Sequence, residues 1–462
     1  MRLSLRWTLV VGTAVRLLIS PFFAHPKDIL NWYDWTTSLS AGVFPGTLFV
    51  PPYPLAYVLL PFASLYLYVK SAFVITSLSI DQIPPILRPE AIWGVQVVPS
   101  PVFDFLIKIP FVMSDIAVAV VVYKIASDLT GEKTKATAAA SLWFLNPYTI
   151  WVSSAWGMYD TIPALLTCLC LLALWKGRAF LAGAILMLAF SFKLYPVLLL
   201  PLFVLHVKRS SAPGTFLRNS SLLMGGFLVT GFVSYAEYLG QIGTFLGSVV
   251  ASPNFTANFN RAGLPPGFGL TYWSLSSIIP MGGFIVPLSI TASIILLGYV
   301  YYFLARQKFA EPLLELCASS VMVISAVLLT FRFVGENFVV WIMPFLSILV
   351  VCGRVRNKLF WSLSGIALFF SITNSLLPFY MLPDVPWIGG TLSQVMTVLQ
   401  PYRSQAAGGT GLTSAAGSLY LVFLGIVFSF LMLALLYQVR AAMTLPRPTQ
   451  GSAGVDSERP AI

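Results

Sequence analysis

The chain has 462 residues, of which 58% are hydrophobic and only 9% charged, and its mean hydropathy of +0.85 lies well outside the range of soluble domains. The apolar runs are about 15 to 25 residues long, which suits membrane helices and not the alternating ten-residue strands of a membrane barrel. The formal net charge of +11 does not argue for nucleic acid, because most basic residues flank apolar runs and so carry topology information.

Met1 to Phe23 has the basic start of a signal peptide, but no small-residue cleavage site follows, so it is expected to be a retained first span, Trp7 to Phe23. Arg2 and Arg6 set the N-terminus inside, and His25 emerges outside. A polar, aromatic stretch follows from His25 to Trp35, then a turn region with Pro51-Pro52-Tyr53-Pro54. Leu55 to Ile75 is expected to lie on or dip into the outer surface. This follows because span two, Phe105 to Ile125, runs into Lys124, Lys133 and Lys135 and therefore ends inside.

Spans three to twelve are expected at 136–153, 161–175, 179–192, 195–207, 222–238, 284–304, 313–329, 338–352, 359–379 and 419–437. Long outer loops follow spans seven and eleven. On this reading Lys27, Lys70, Arg88, Lys108, Arg261, Arg332 and Arg403 fall outside, Arg16 and Lys193 fall within spans, and all other basic residues fall inside. The expectation is an all-α polytopic protein of about twelve transmembrane helices. Residues 1–439 form one membrane domain, and 440–462 form a polar, Pro-rich, disordered cytoplasmic tail. Cys168, Cys170, Cys317 and Cys352 lie inside apolar runs without metal or disulfide spacing.

One stretch organises the chemistry. Ser191-Phe192-Lys193-Leu194-Tyr195-Pro196 interrupts an apolar run too long for one span. A lysine within the bilayer costs roughly 3 kcal/mol, so it usually faces a polar cavity. The expected topology gathers further polar groups on the same outer face: Asp28, Asp34, Lys108, Asp160, Arg332 and Glu336, with Asp115 deeper in span two. Carboxylates beside cations suggest a site for a charged ligand. No Walker loop or Gly-rich dinucleotide turn is present. A reaction on the outer face has no ready access to cytoplasmic nucleotide sugars, whereas a lipid-linked phosphate donor is already there. Cations would stabilise the leaving phosphate, and a carboxylate would take the acceptor proton.

The sequence resembles the GT-C glycosyltransferases that use dolichyl- or polyprenyl-phosphate sugars. The likeness is nearest to the catalytic subunit of GPI mannosyltransferase I, and weaker to the dolichyl-phosphate-glucose glucosyltransferases. It rests on Asp28, Pro51 to Leu55, Lys108 to Asp115 with Tyr123-Lys124, Trp143 to Tyr148, Phe192 to Val197, and Glu336 to Pro344, and it spans roughly residues 7 to 345. The resemblance implies that Asp28, the first outer-loop aspartate, is catalytic. GPI mannosyltransferases carry an Asp-x-Asp pair at that place. This chain has Asp28 and Asp34 with Asn31 between them, closer to the single-aspartate, metal-independent pattern.

The function expected is therefore an inverting hexosyl transferase, a mannosyl transferase in the first instance. It would move sugar from a polyprenyl- or dolichyl-phosphate to a glycan or glycolipid acceptor on the outer or lumenal face. Asp28 is the expected base. Asp34, Lys108, Asp115, Asp160, Lys193, Tyr195, Arg332, Glu336 and Asn337 are the substrate-binding candidates. No cofactor and no metal ligand is expected. Expected partners are the lipid donor, the acceptor, membrane lipid and a small membrane subunit, without nucleic acid. The membrane would be the cell membrane in a prokaryote and the endoplasmic reticulum in a eukaryote.

The residues alone leave blander roles open. Asp28 also reads as a cap on the next helix, Asp115 as an ion-pair partner within the bundle, and Lys193 as a snorkelling lysine. Arg332 and Glu336 also read as a surface ion pair, and Trp32, Tyr33 and Trp35 as an interfacial belt. Two other functions compete: a non-catalytic membrane subunit related to the GPI transamidase complex, which shares a Leu-Asn-Pro-Tyr stretch, and a secondary transporter. The absence of an internal repeat speaks against the transporter.

Overall fold

A computed structural model describes residues 4–24, 26–42, 53–73, 78–79, 97–98, 100–236, 268–279, 284–307, 311–335, 337–374 and 415–444. The described chain is almost wholly helical. It begins with α1 (Leu5–Ile19), α2 (Pro26–Ser40), α3 (Tyr53–Phe73) and α4 (Pro101–Thr130). Next come α5 (Lys133–Phe144), the single turn α6 (Pro147–Ile150), a π-helix (Trp151–Trp156), α7 (Thr161–Trp175) and α8 (Ala179–Phe192). A 3-10 turn (Tyr195–Leu199) leads to α9 (Leu200–Ser210) and α10 (Phe216–Tyr235). A 3-10 turn (Tyr272–Ser277) precedes α11 (Ile285–Arg306) and α12 (Pro312–Thr330). Another (Phe338–Trp341) precedes α13 (Met343–Val351), α14 (Asn357–Asn374) and α15 (Ala415–Thr444). Two short ladders join loops: β1 (Leu78–Ser79) with β2 (Val97–Val98), antiparallel, and β3 (Phe268–Gly269) with β4 (Phe333–Val334), parallel.

The breaks are written in proline and glycine. Ser100 caps α4 by accepting from Phe103 N at 3.3 Å, Pro101 opens it, and Gly131 at φ +68° closes it. Pro147, Pro201 and Pro344 each sit in the first turn of a new segment, where a missing N–H costs nothing. They split the expected spans three, six and ten into shorter pieces. The last helix runs on to Thr444, so the chain is helical past residue 440, where the sequence suggested a tail. Residues 445–462 lie outside the described residues.

Among the described residues six helices are long and apolar enough to cross a membrane: Pro54–Ala72, Pro101–Thr130, Phe216–Tyr235, Pro287–Arg306, Pro312–Thr330 and Leu419–Thr444. The chain is a multi-pass membrane protein. The first of these six is the stretch expected on the outer surface. It is long enough to span and packs on α2, α4 and α8. α7, α8 and residues 357–372 are apolar but shorter. Burial sorts the helices into layers. The apolar window of α12 is 89% buried inside the molecule, so α12 is its centre. That of α10 is only 11% buried, and its free side presents Leu228, Val229, Phe232 and Val233 to lipid.

Lipid gives apolar side chains little reason to leave it, so helix contacts in a membrane rest on close approach and on polar pairs. The parallel contact of α8 with α10 uses close approach. A Cβ on Gly183 would lie 1.8 Å from Leu223 O, and one on Gly226 would lie 2.0 Å from Phe180 O. The joint between α1, α4 and the break after α5 uses a polar pair. Arg16 and Asp115 are both fully buried, with Arg16 Nε donating to Asp115 Oδ2 at 2.6 Å. Arg16 Nη1 donates to Phe144 O at 2.7 Å, a carbonyl freed by the helix break, and its guanidinium lies 4.1 Å from the Phe144 ring centroid. Ser153 Oγ donates to the same Asp115 Oδ2 at 2.6 Å. Asn146 caps the restart by accepting from Tyr148 N at 2.9 Å, and Thr149 Oγ1 donates to the freed Trp143 O at 2.7 Å.

Two stability predictions follow from these joints. Arg16→Met leaves a buried carboxylate without its charge partner and is expected to cost about 3–5 kcal/mol, most of it recovered in Arg16→Met/Asp115→Leu. Gly226→Val drives a side chain into the backbone of α8 and is expected to cost at least about 1–3 kcal/mol. Thermal unfolding in detergent, followed by size-exclusion chromatography, checks both. An unchanged midpoint for Arg16→Met would contradict the joint.

Candidate functional site

The polar groups that do converge lie around the turn from Trp156 to Asp160. The π-helix before it ends at Gly157, whose φ of +86° favours glycine. Met158 N donates back to Val152 O at 2.9 Å and closes the wide turn. A side chain at Gly157 would meet Lys108 Cε at 2.7 Å, so the position has no room for one.

α2 docks onto this turn through one face. Asp28 lies in its first turn, where a carboxylate is favoured by the helix dipole. Trp32, one turn later on the same face, is buried. Trp156 Nε1 donates to Asp28 Oδ2 at 2.7 Å, and Trp32 Nε1 donates to Gly157 O at 3.0 Å. The Asp28 side chain is half-buried.

Tyr159 links this pair to a second one. Its ring meets Trp32 edge-on at 5.8 Å, and Lys193 Nζ lies 4.6 Å from its centroid. Burial pushes the Tyr159 phenol up, against the pull of the Lys193 charge. Asp160 is fully buried. Its Oδ2 accepts from Asn337 Nδ2, and its Oδ1 accepts from Trp341 Nε1 at 2.8 Å. Lys193 Nζ is 3.4 Å from the same Oδ1. Lys193 has extended backbone where α8 ends, and its side chain keeps 17% exposure, so it is the cation of this cluster that solvent or a ligand can reach. Tyr195 stacks on Trp341 at 4.3 Å and 12°, and Trp341 stacks on Phe338 at 4.3 Å and 21°.

Several of the expected site residues lie elsewhere. Lys108 is fully buried within α4, which begins four residues earlier than expected, and lies against the Gly157 turn. It lies 2.9 Å from Asp104 Oδ1 and donates to Ser20 O at 3.0 Å, to Phe23 O, and to Ala155 O at 3.3 Å. It therefore ties the end of α1 to the π-helix. Asp115 is the buried partner of Arg16. Asp34 is exposed, and at six residues from Asp28 it is turned about 120° away around α2. Arg332 is buried just before β4, and burial pulls its guanidinium pKa down. Glu336 lies outside the described residues. Trp32 and Trp35 are buried rather than arrayed as an interfacial belt. Among the described residues no group of three His, Cys, Asp or Glu side chains could hold a metal.

Trp156, Tyr159 and Trp341 belong to the cluster but were not among the sequence candidates. The signal that could have found Trp156 and Tyr159 is an aromatic N–H or O–H carrier within four residues of a candidate acid, as in Trp156-Gly-Met-Tyr-Asp160. Because the cluster is coupled, Asp160→Asn is expected to cost about 1–3 kcal/mol, and Lys193→Met less, since that side chain is part-exposed. The double variant should cost less than the sum of the two. Unfolding midpoints of the three variants test this, and strict additivity would contradict the pairing.

Comparison with known proteins gives three likenesses. The family described as GPI transamidase subunit PIG-U matches residues 59–262. GPI mannosyltransferase 1 of Saccharomyces cerevisiae is 30% identical over 115 residues, 24% of this chain. The match covers 28% of that relative's length. The crystal structure of ArnT from Cupriavidus metallidurans in the apo state aligns with 94% of this chain and 76% of its own, at a TM-score of 0.44 and 16% identity.

Proposed function

We propose that the chain is an inverting glycosyltransferase of GT-C type. It transfers a hexose, mannose in the first instance, from a polyprenyl- or dolichyl-phosphate to a glycan or glycolipid on the outer or lumenal side of its membrane. The observation that carries this reading is the Asp28 carboxylate. It is half-buried, fixed by an indole N–H, and set in the same aromatic turn as the part-exposed Lys193. Asp28 takes the proton of the acceptor hydroxyl as that oxygen bonds to the anomeric carbon. The bond from that carbon to the donor phosphate breaks, and the phosphate leaves with its electron pair. Attack from the face opposite the phosphate inverts the centre. Lys193 stabilises the leaving phosphate, a role made stronger by the low dielectric of the site. The partial identity to a mannosyltransferase supports the sugar. The reading includes about twelve membrane helices, both chain ends inside, and a partner membrane subunit.

A second reading has its own observation. The match to a GPI transamidase subunit covers α4 to α10, with Asp160 and Lys193, but begins after Asp28. Under that reading the Asp160–Lys193 cluster is scaffold, and Asp28 has no chemical duty.

Transfer of radiolabelled sugar from polyprenyl-phosphate-mannose and -glucose into lipid and glycan acceptors separates the two. Asp28→Asn is expected to lower transfer by about 10²–10⁴-fold with the unfolding midpoint retained. Transfer that survives the substitution would move the base elsewhere. No transfer by the wild type from either donor would favour the subunit reading.

A further inference from the structure

We infer that Trp156 is a positioning residue for Asp28: its indole N–H fixes the carboxylate in one orientation and holds it ionised. The inference rests on the transferase reading for its catalytic consequence, but its geometry stands apart from that reading.

The donor itself is unusual. Trp156 Nε1 lies 2.7 Å from Asp28 Oδ2, and Trp156 is only 5% exposed. A hydrogen bond to the charged form of a carboxylate favours that form. An indole N–H is a neutral donor, so it orients the carboxylate without supplying a counter-charge. In the neighbouring pair Lys193 brings a full positive charge to Asp160.

The donor is also held from behind. Trp156 is the last residue of the π-helix, whose wide turn is closed by the Met158 N to Val152 O bond. Gly157 follows in the left-handed region with no space for a side chain against Lys108. Lys108 in turn donates to Ala155 O, one residue before Trp156. α2 is docked on the turn by a second bond of the reverse sense, from Trp32 Nε1 to Gly157 O. Two indole bonds thus join the same two segments, but only one of them ends on a carboxylate. This difference separates positioning from simple docking.

The test compares Trp156→Phe with Trp32→Phe in full-length protein in detergent. Two readouts are used: the pH profile of sugar transfer, and the pH dependence of labelling of Asp28 by a hydrophobic carbodiimide, which reacts with the protonated acid and is read by peptide mass spectrometry. Trp156→Phe is expected to lower kcat about tenfold, with KM for the donor within about twofold. It is also expected to move both the acid limb and the half-labelling pH upward by about one unit. Trp32→Phe is expected to lower the unfolding midpoint and leave the half-labelling pH in place. Trp156→Met, equally without a donor, stands in if the phenylalanine variant does not fold, and Trp156→His, which keeps a ring N–H, should restore part of the shift. A half-labelling pH that does not move in a folded donor-less variant overturns the inference, as does an equal shift in Trp32→Phe. A shift in labelling in a protein that transfers no sugar keeps the inference and removes the transferase reading.

Discussion

The ion pair of Arg16 with Asp115 has to exist before the rest of the site can be arranged, because it occupies the place where the third membrane segment is broken. Pro147 ends regular hydrogen bonding after α5 and leaves the carbonyls of Trp143 and Phe144 without helical donors. In a membrane interior such groups must be satisfied within the protein. Thr149 takes one and Arg16 takes the other, and the guanidinium that does so is held in turn by Asp115. A buried pair of this kind adds little net stability over apolar packing, but losing one partner is expensive. Its effect is to fix α1, α4 and the restarted helix in one register. Ser153 belongs to the same carboxylate, so the register passes into the π-helix.

From there the placement of the site follows by short steps. The π-helix closes each of its hydrogen bonds over five residues instead of four and is rare, occurring mostly as a single turn. Here it ends at Gly157 and delivers Trp156 to one acid and, four residues on, Asp160 to a lysine. Lys108 closes the arrangement from the other side by linking the end of α1 to Ala155. Lys108, Asp104, Arg16 and Asp115 are thus a frame of buried charges beside a turn whose own acid, Asp160, is buried against the part-exposed Lys193. Within the frame Arg16 is paired with Asp115 and Lys108 with Asp104.

Much of the fold was legible in the sequence. Apolar runs flanked by basic residues located most helices to within a few residues; α7 and α8 have the expected limits, Thr161–Trp175 and Ala179–Phe192. The break at Lys193 was legible because a charge and a proline cannot both continue an apolar helix. The site was legible only in part, for a physical reason. Charge within a span says that a group is costly, not which way it points. Lys108 and Asp115 therefore read like Lys193, although two of the three are spent on structure. Asp34 read like Asp28 because sequence distance conceals the turn of a helix. Trp156 and Trp341 were silent because an indole donor carries no charge, and in a hydropathy pattern it resembles any interfacial aromatic.

The two functional readings share nearly all of this architecture, so the fold does not choose between them. Asp104, Lys108, Asp115, the turn and Lys193 all lie within the stretch that matches a transamidase subunit, and Arg16 lies before it. Asp160 is bound by Asn337, Trp341 and Lys193 together, a degree of satisfaction that suits an organising carboxylate in either kind of protein. The carboxylate of Asp28 is different. It stands outside that matched stretch, on a helix that docks through two indoles, at a half-buried position where an acid with no duty would be better in water. A scaffold needs the Trp32 bond to seat α2, but it does not need a carboxylate under Trp156. On the transferase reading proposed above that carboxylate is the base, whereas the subunit reading assigns it no task.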